Sequence, residues 1–247
     1  MSFFDIWNKG LFTIMGSDKS IWVLIIGWVL CAVFAYLIGS FNFGCIISIF
    51  KFKDDIRKHG SGNAGTTNIF RTYGIGAALF TYLGDGLKAV VAVVIGHLLG
   101  GVTGGYIAGL FAVNGHMWPI FFGFKGGKGV ATASAMILCL NPVVFLIMAV
   151  IFCIIVWSTK YISLGSIVAL MLYPLLLFKL QNPELMGGGG QYVIIAFIVA
   201  VLVVFKHRSN IKRIMAGNEN KFVLKTKKNS DKNVDKTVED EKKSEDK

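Results

Sequence analysis

Charged residues are scarce in this 247-residue sequence, and long apolar runs take their place. Only 16% of the residues are charged, 54% are hydrophobic and the mean hydropathy is +0.64. Soluble domains carry about 25% charged residues, so an ordinary soluble domain is excluded. The apolar runs are continuous and do not alternate with polar residues, which argues against the strands of a membrane barrel. The composition therefore predicts an all-α, polytopic integral membrane protein.

Cysteine pairs and nucleotide-binding patterns are also missing. The four cysteines are Cys31, Cys45, Cys139 and Cys153. All lie inside apolar runs, where a thiol acts as a small apolar side chain, and their spacing fits neither a disulfide framework nor a zinc site. A P-loop is excluded because Lys128 is followed by Gly129 and not by Ser or Thr, and Phe122 stands where the pattern requires the first glycine.

Seven apolar stretches are candidates for membrane-spanning helices, judged by the length needed to cross about 30 Å of hydrocarbon. They cover residues 21–50, 75–99, 102–122, 129–140, 142–158, 161–180 and 190–206. The stretch 129–158 is either one long helix or two short ones broken at Asn141-Pro142, because proline disrupts a helix. The short span 129–140 is expected to end in a cavity or a thinned part of the bilayer.

Three basic clusters set the predicted orientation. They are Lys51, Lys53, Arg57, Lys58 and Arg71; then Lys125 and Lys128; then Lys206, Arg208, Lys212 and Arg213. The positive-inside rule favours the cytoplasmic side for all three, so even numbers of crossings must separate them. The condition is met only if 129–158 is divided into two spans, which gives seven helices with the N-terminus outside and the C-terminus in the cytoplasm.

The chain is predicted to have three parts. Residues 1–20 suit an interfacial segment, residues 21–222 a membrane-embedded domain and residues 223–247 a disordered, charged cytoplasmic tail. From position 227 onward there are seven basic and seven acidic residues, so the net charge of +11 belongs to the rest of the chain. Those cations stand at helix ends, which favours anionic lipid headgroups and phosphorylated substrates over nucleic acid.

A glycine-lysine stretch between two apolar segments, residues 116–132, is typical of an anion site. Glycines let backbone N–H groups approach a phosphate, and a lysine adds positive charge. The residues concerned are Lys125, Gly126, Gly127, Lys128 and Gly129. The alternative is a flexible turn whose lysines only set the topology.

Two further polar stretches, 58–74 and 206–221, lie against the membrane. In the first, Ser61 and Asn63 can donate hydrogen bonds to phosphate and Arg71 offers a bidentate fork; a surface loop with a helix cap at Thr66, Thr67 or Asn68 is the alternative. In the second, His207 and Asn210 share a face if the segment is helical. His207 can titrate or bind a substrate there, or the segment is a basic anchor.

Asp85 and Lys88 stand three residues apart inside a predicted span. An isolated charge at that depth is costly, so we expect a structural ion pair in preference to a catalytic role. Gly84 and Gly86 beside them allow helices to approach closely.

Because even numbers of crossings separate the basic clusters, the three polar stretches are predicted to lie on one side of the membrane. Together they resemble a known family. The elements are Ser61-Gly-Asn-Ala-Gly-Thr-Thr-Asn, Gly115-His-Met-Trp-Pro with Gly-Phe-Lys-Gly-Gly-Lys-Gly-Val-Ala-Thr, and His207-Arg-Ser-Asn with Gly-Asn-Glu-Asn-Lys. They are similar to the signatures of the bacterial acyl-phosphate-dependent glycerol-3-phosphate acyltransferases. The likeness runs from about residue 21 to about residue 222, and Gly39–Gly44 is similar to a fourth element.

The resemblance implies transfer of a fatty acyl group from acyl phosphate to the sn-1 hydroxyl of glycerol 3-phosphate, giving lysophosphatidic acid and phosphate. It implies a multi-pass protein of the bacterial plasma membrane with its site facing the cytoplasm. Neither metal nor nucleotide cofactor is implied, and weak association with other phospholipid-synthesis enzymes is a further expectation. The implied catalytic residues are Ser61, Arg71, Lys128 and His207, and the implied substrate-binding residues are Asn63, Lys125, Gly126, Gly127, Gly129, Asn210 and Glu219. For Glu219 we expect it to orient a cation and not to transfer a proton.

Several alternatives remain open from the sequence. A transporter of organic phosphates also uses glycine-rich loops and buried charges, and a noncatalytic scaffold would account for the helices alone. The hydroxyl proton has two candidate acceptors, His207 and a phosphate oxygen of the substrate. The acyl-CoA-dependent enzymes have a histidine followed five residues later by aspartate, whereas His116 is followed there by Phe121.

Overall fold

The computed structural model describes residues 6–7, 9–15, 21–180 and 190–222. Its α-helices are α1 (Leu11–Met15), α2 (Ile21–Gly39), α3 (Phe43–Phe52), α4 (Thr66–Tyr73), α5 (Ile75–Met117), α6 (Val130–Leu140), α7 (Pro142–Thr159), α8 (Ile162–Leu180), α9 (Gly190–Lys206) and α10 (Arg208–Met215). Short 3-10 turns occupy Ile56–Lys58 and Ile120–Phe122. All regular structure in these described ranges is helical, as expected.

Four helical segments are long and apolar enough to cross a membrane, or five if the bent pair α9 and α10 is one span. One of the four, which contains α5, is two helices in space. A straight helix would separate Asp85 from His116 by about 46 Å, whereas His116 Nδ1 lies 3.3 Å from Asp85 Oδ1. The reversal occurs at Gly100 and Gly101, where the backbone leaves the helical region and Gly101 has a φ of 63°. The predicted division between residues 99 and 102 is therefore confirmed.

The predicted span 21–50 corresponds to one candidate membrane segment, Ile21–Phe52, but this segment is not one continuous helix. α2 ends at Gly39 and α3 begins at Phe43, with Asn42 between them as the N-cap. The Asn42 side chain accepts a hydrogen bond from the Cys45 N–H at 2.9 Å, which satisfies a donor at the start of α3. The predicted span 102–122 ends where the candidate membrane segment ends, at Phe122, although α5 itself ends at Met117 and a 3-10 turn follows Pro119.

The break at Asn141-Pro142 is confirmed, with α6 ending at Leu140 and α7 beginning at Pro142. Asn141 is buried there, and its side-chain amide pairs with the hydroxyl groups of Tyr106 and Tyr173. These bonds satisfy a polar side chain between apolar helices.

Small residues bring α2 against the C-terminal half of α5. Ala35, Ala108 and Ala112 are buried in this contact, and a Cβ added at Gly39 would collide with the Ala112 backbone. Large apolar side chains point outward instead: Phe80 is 65% exposed and Trp157 is 80% exposed. Leaving such side chains in water would forgo about 1.5–3 kcal/mol each, so this surface suits a hydrocarbon environment.

The described part of the N-terminal segment packs at the bend of α5. Trp7 stacks on His97 with ring centroids 4.2 Å apart, and Phe12 packs against Gly27. The predicted tail, 223–247, lies outside the described residues. The proposed division into three parts stays a prediction.

Candidate active site

A cavity of about 250 Å³ lies where α4, α6, α8 and α10 meet. Eight of the eleven predicted site residues line it: Ser61, Asn63, Arg71, Lys128, Gly129, His207, Asn210 and Glu219. They come from all three polar stretches of the sequence. The fold therefore assembles most of the predicted site in one place.

Three predicted residues lie elsewhere. Lys125 and Gly126 line a separate groove, described below, and not the cavity. The N–H of Gly127 donates to the His116 carbonyl at 3.1 Å, so it is not available to an anion. The chain turns through left-handed conformations at Gly123 and Phe124, which directs Lys125 away from Lys128. Lys125, Gly126 and Gly127 are thus not brought together with the other eight residues, and their expected role in substrate binding stays a prediction.

Two uncapped helix N-termini point into the cavity. α4 begins after Gly65 and α6 after Gly129, and neither N-cap residue offers a side-chain hydrogen bond. Gly65, Thr66, Gly129 and Val130 all line the cavity wall. Unpaired N–H groups and the helix dipole favour an anion at such a terminus, and here two termini share one space.

Gly129 is required by the backbone at the start of α6. Its φ of +81° is a conformation that L side chains rarely adopt, and an added Cβ would collide with the Met117 side chain. The glycine therefore sets the direction in which α6 leaves Lys128.

The loop carrying Ser61 and Asn63 is held by Asn68. The Asn68 amide group donates to the carbonyls of His59 at 2.9 Å and Asn63 at 3.0 Å, and its oxygen accepts from the Ser61 N–H at 3.1 Å. Asn68 is 2% exposed. The sequence suggested a helix cap at this position, but Gly65 is the N-cap and Asn68 positions the loop.

Glu219 is the centre of a hydrogen-bonded cluster at the opposite wall. Its carboxylate accepts from Ser163 Oγ at 2.8 Å, from Asn210 Nδ2 at 2.7 Å and from Arg213 Nε at 2.8 Å. Burial raises the pKa of this carboxyl, but the hydrogen bonds from Asn210, Ser163 and Arg213 outweigh it and the net pKa is lowered. The group is therefore ionised at neutral pH, and its pair with Arg213 agrees with the cation-orienting role expected of it.

Asn210 keeps one free acceptor. Because its Nδ2 donates to Glu219, its Oδ1 faces away, and this buried atom has no hydrogen-bond partner among the described residues. Buried polar atoms are normally paired, so a ligand donor is the natural partner of this oxygen. Ser163 was missed from the sequence, because its role depends on Glu219, which lies 56 positions away. Arg213 was noted only as part of a basic cluster, and its bond to Glu219 gives it a place in the site.

His207 is held as a neutral acceptor. Its Nδ1 lies 2.8 Å from the Val203 carbonyl oxygen and must donate to it, which leaves Nε2 unprotonated. Burial, together with the positive charge of Lys128, lowers the pKa of the ring to about 4.

Lys128 and two guanidinium groups supply the positive charge of the cavity. Burial lowers the pKa of Lys128 to about 8; Glu219 opposes this shift, while Arg213 and Arg71 add to it. The ammonium group is thus mostly protonated at pH 7 and close to its titration range. Arg71 is anchored at the mouth, where its Nη2 donates to the Asn220 carbonyl at 3.3 Å.

A buried charge cluster forms part of the cavity wall, where Asp85 and His116 are lining residues. Lys88 Nζ is 2.7 Å from Asp85 Oδ1, so the expected ion pair is confirmed. His116, which the sequence did not connect to this pair, joins it with Nδ1 3.0 Å from Lys88 Nζ. The other edge of the His116 ring packs against Gly127, where an added Cβ would collide with it. The cluster therefore connects both halves of α5 to the glycine-lysine loop.

An apolar slot of about 160 Å³ continues from the cavity between α6, α7 and α8. The two spaces share Tyr82, Val130, Phe152 and Ser166. The rest of the slot is lined by Ser134, Phe145, Met148, Ala149, Ala169 and Leu170. The arrangement can hold anionic groups at the helix termini and an alkyl chain in the slot at the same time.

Comparison with known proteins shows the family of this chain. Residues 29–217 match the family described as Glycerol-3-phosphate acyltransferase. The chain belongs to this family. Its relatives include the glycerol-3-phosphate acyltransferase of Thermoanaerobacter pseudethanolicus, 44% identical over 198 residues, which are 80% of this chain and 97% of the relative. The protein of the same name from Syntrophomonas wolfei is 45% identical over 193 residues, 78% of this chain and 96% of the relative.

Two solved structures of this family share the fold. One is the crystal structure of PlsY, an integral membrane glycerol 3-phosphate acyltransferase, in its glycerol 3-phosphate form. It is 36% identical with a TM-score of 0.72, and the match covers 79% of this chain and 96% of that one. The lysophosphatidic acid form has a TM-score of 0.70 at 35% identity and covers 79% and 95% of the two chains. The protein is thus a membrane-embedded acyltransferase, as the sequence motifs indicated.

Proposed function

We propose that this protein transfers a fatty acyl group from acyl phosphate to the sn-1 hydroxyl of glycerol 3-phosphate, giving lysophosphatidic acid and inorganic phosphate. The observation that carries the proposal is the cavity itself, in which two uncapped helix N-termini and three cations adjoin an apolar slot. Both substrates carry a phosphate, and only the donor carries a long chain. The cavity offers a place for each of these groups.

The phosphates are bound by the cations and the helix termini. Arg71, Lys128 and Arg213 provide charge-assisted hydrogen bonds, and Ser61 and Asn63 add neutral donors. The acyl chain of the donor lies in the slot, which places its carbonyl group near Val130, where slot and cavity meet. Binding both substrates in one closed space removes much of the entropic cost of the reaction.

In the chemical step the hydroxyl oxygen attacks the carbonyl carbon, and the bond from that carbon to the phosphate oxygen breaks. The electron pair leaves with the phosphate. Acyl phosphate is already activated, so the protein mainly positions the reactants and stabilises the charge on the carbonyl and leaving oxygens. Lys128 and Arg71 serve this purpose.

The hydroxyl proton passes to a phosphate oxygen in preference to His207. A phosphate monoester has a second pKa of about 6, whereas the pKa of the buried His207 ring is about 4. The phosphate is therefore the better base by about two units. His207 Nε2 and Asn210 Oδ1 instead accept hydrogen bonds from the glycerol hydroxyls and orient them.

The same proposal extends to the membrane. Counting the two halves of α5 separately, the described residues contain seven apolar helical segments of eleven residues or more, and these support the predicted seven spans. We propose that residues 21–222 form the membrane domain in the bacterial plasma membrane, with the N-terminus outside and the site facing the cytoplasm. A transporter of organic phosphates is disfavoured, because most of the polar residues that line the cavity, among them Ser61, Arg71 and Lys128, belong to loops and short helices outside the long apolar helices.

A direct assay tests the reaction. The purified full chain, reconstituted in lipid nanodiscs, is incubated with acyl phosphate and glycerol 3-phosphate, and both products are measured. We expect lysophosphatidic acid and phosphate to form together and only when both substrates are present. Phosphate release without lysophosphatidic acid would exclude the transferase reaction, and activity with acyl-CoA alone would exclude the proposed donor.

A further inference from the structure

A second groove, open and larger than the active-site cavity, lies next to it and has a volume of about 1080 Å³. Its charged lining consists of Arg57, Lys58, Lys125, Lys206 and Arg208, with Asp55 as the one acidic side chain among the lining residues. Its aromatic lining consists of Trp118, Phe121, Phe122, Phe124 and Phe205. The groove is therefore both strongly basic and strongly aromatic.

Part of this charge is already neutralised within the protein. Arg57 pairs with Asp55 at 2.8 Å. Lys206 donates to the Met117 carbonyl at 2.8 Å and lies over the Trp118 ring. These contacts fix the walls of the groove and leave the other cations to act on a ligand.

Lys58 and Lys125 are exposed, and neither side chain has an ion pair or hydrogen bond with any part of the chain that the structure describes. Arg208 is also exposed, and its guanidinium lies 4.8 Å above the Phe205 ring. Three cations thus face one open space, and none of them forms an ion pair with a carboxylate in the described ranges, although Asp55 lies close enough to Lys58 to interact with its charge. A bound anion is the natural complement of this arrangement.

The aromatic rim indicates where that anion comes from. The groove lies at the ends of α5 and α9, next to helices whose outer faces are apolar. Phe121 is 52% exposed, Phe124 is 54% exposed and Phe205 is 53% exposed. Aromatic and basic side chains together are typical of the headgroup level of a bilayer, whereas a site for free phosphate alone would not need an apolar rim.

We propose that this groove binds the headgroup of an acidic phospholipid. Lys58, Lys125 and Arg208 contact the lipid phosphate, and the exposed phenylalanine rings contact the first part of its acyl chains. Lys125 thereby acquires a role outside the active-site cavity. None of these residues lines that cavity, so the proposal is independent of the acyl-transfer reaction.

Lipid binding to the full chain tests it. Detergent-solubilised protein is titrated with phosphatidylglycerol or phosphatidylcholine of identical chains, and bound lipids are counted by native mass spectrometry. We expect the wild type to prefer phosphatidylglycerol, and the double variant Lys58→Gln, Lys125→Gln to lose roughly tenfold to thirtyfold of that preference. Lys212→Gln, an exposed lysine on α10 outside the groove, is the matched control and should keep it.

Three results would overturn the lipid site. The wild type could bind the two lipids equally, or the double variant could retain the full preference while circular dichroism shows unchanged helix content. Inorganic phosphate at millimolar concentration could also displace phosphatidylglycerol completely, which would assign the groove to free phosphate. A double variant that fails to fold is replaced by the two single variants, each of which should lose part of the preference.

Discussion

Lys128 is poised so that its charge depends on pH within the working range of an enzyme. Burial lowers its pKa to about 8, so in the free protein the ammonium group loses its proton as the pH rises through 8. Loss of that charge weakens phosphate binding. We therefore expect the KM for glycerol 3-phosphate to rise between about pH 7 and pH 9.

Lys128→Arg tests this assignment, because a guanidinium keeps its charge over the whole range. The KM of this variant should stay flat where that of the wild type rises, whatever its absolute value. Lys212→Arg should reproduce the wild-type profile. An equal alkaline rise in Lys128→Arg would assign the titration to another group.

His207 is expected to bind substrate and not to act as the base. A neutral ring with a pKa of about 4 does not titrate near pH 7, so His207→Gln should raise the KM for glycerol 3-phosphate by roughly tenfold through loss of a buried hydrogen bond. The dependence of rate on pH between about 6 and 8 should persist. His59→Gln, which alters a histidine outside the cavity, is the control.

Steady-state kinetics of His207→Gln separate the two roles. An unchanged KM with a large loss of kcat and a flattened pH profile would identify His207 as the base.

Among the helices, α7 and α8 define the apolar slot. Ala149 on α7 and Ala169 on α8 are small side chains that leave the slot open. Ala149→Phe should fill part of its 160 Å³ and shift the preference towards acyl phosphates with shorter chains. A hydrophobic site discriminates by about 1–3 kcal/mol per methylene at most. The ratio of kcat/KM for shorter-chain to longer-chain acyl phosphates should therefore rise roughly tenfold or more.

Val150→Phe is the matched control for this helix. Val150 is 58% exposed and points away from the slot, so the same enlargement there should leave the chain preference unchanged. Equal preferences in Ala149→Phe and the wild type would place the acyl chain elsewhere.

The helix boundaries show what sequence patterns can and cannot predict. The break at Asn141-Pro142 was predicted, because proline and a polar residue between apolar runs are local signals. The reversal after position 99, which was also predicted, occurs at Gly100 and Gly101. The break between Gly39 and Phe43 was missed, because Ser40 and Asn42 interrupt the apolar run for only a few residues. Asn42 becomes an N-cap through its own bond to Cys45, and hydropathy alone does not reveal such a contact.

At the scale of the whole molecule, the residues of the site could be predicted from motifs, but the hydrogen bonds and ion pairs that connect them could not. Motifs indicated Arg71, Lys128 and His207, and all three line one cavity. Glu219 bonds to Ser163, and His116 joins the Asp85 pair, only because the fold brings distant segments together. Lys125 and Lys128 looked equivalent in the sequence, and the turn at Gly123 and Phe124 separates them.

The predicted orientation can be measured by cysteine labelling. Cys139 and Cys153 are exposed and would be replaced by alanine first. A cysteine at Val143, near the start of α7, should then react with an impermeant maleimide in intact cells. One at Ser209 should react only after the inner face is opened. Reversed labelling would overturn the proposed topology.

The central claim is that the cavity around Arg71 and Lys128 catalyses acyl transfer, and turnover of its variants in nanodiscs tests this most directly. Removing one charged donor from a desolvated site costs about 2.7–4 kcal/mol, or roughly a hundredfold to a thousandfold in rate. Arg71→Ala and Lys128→Ala should therefore lose this much lysophosphatidic acid formation while remaining folded, and Lys212→Ala should retain wild-type activity. Near-wild-type turnover in both cavity variants would contradict the account.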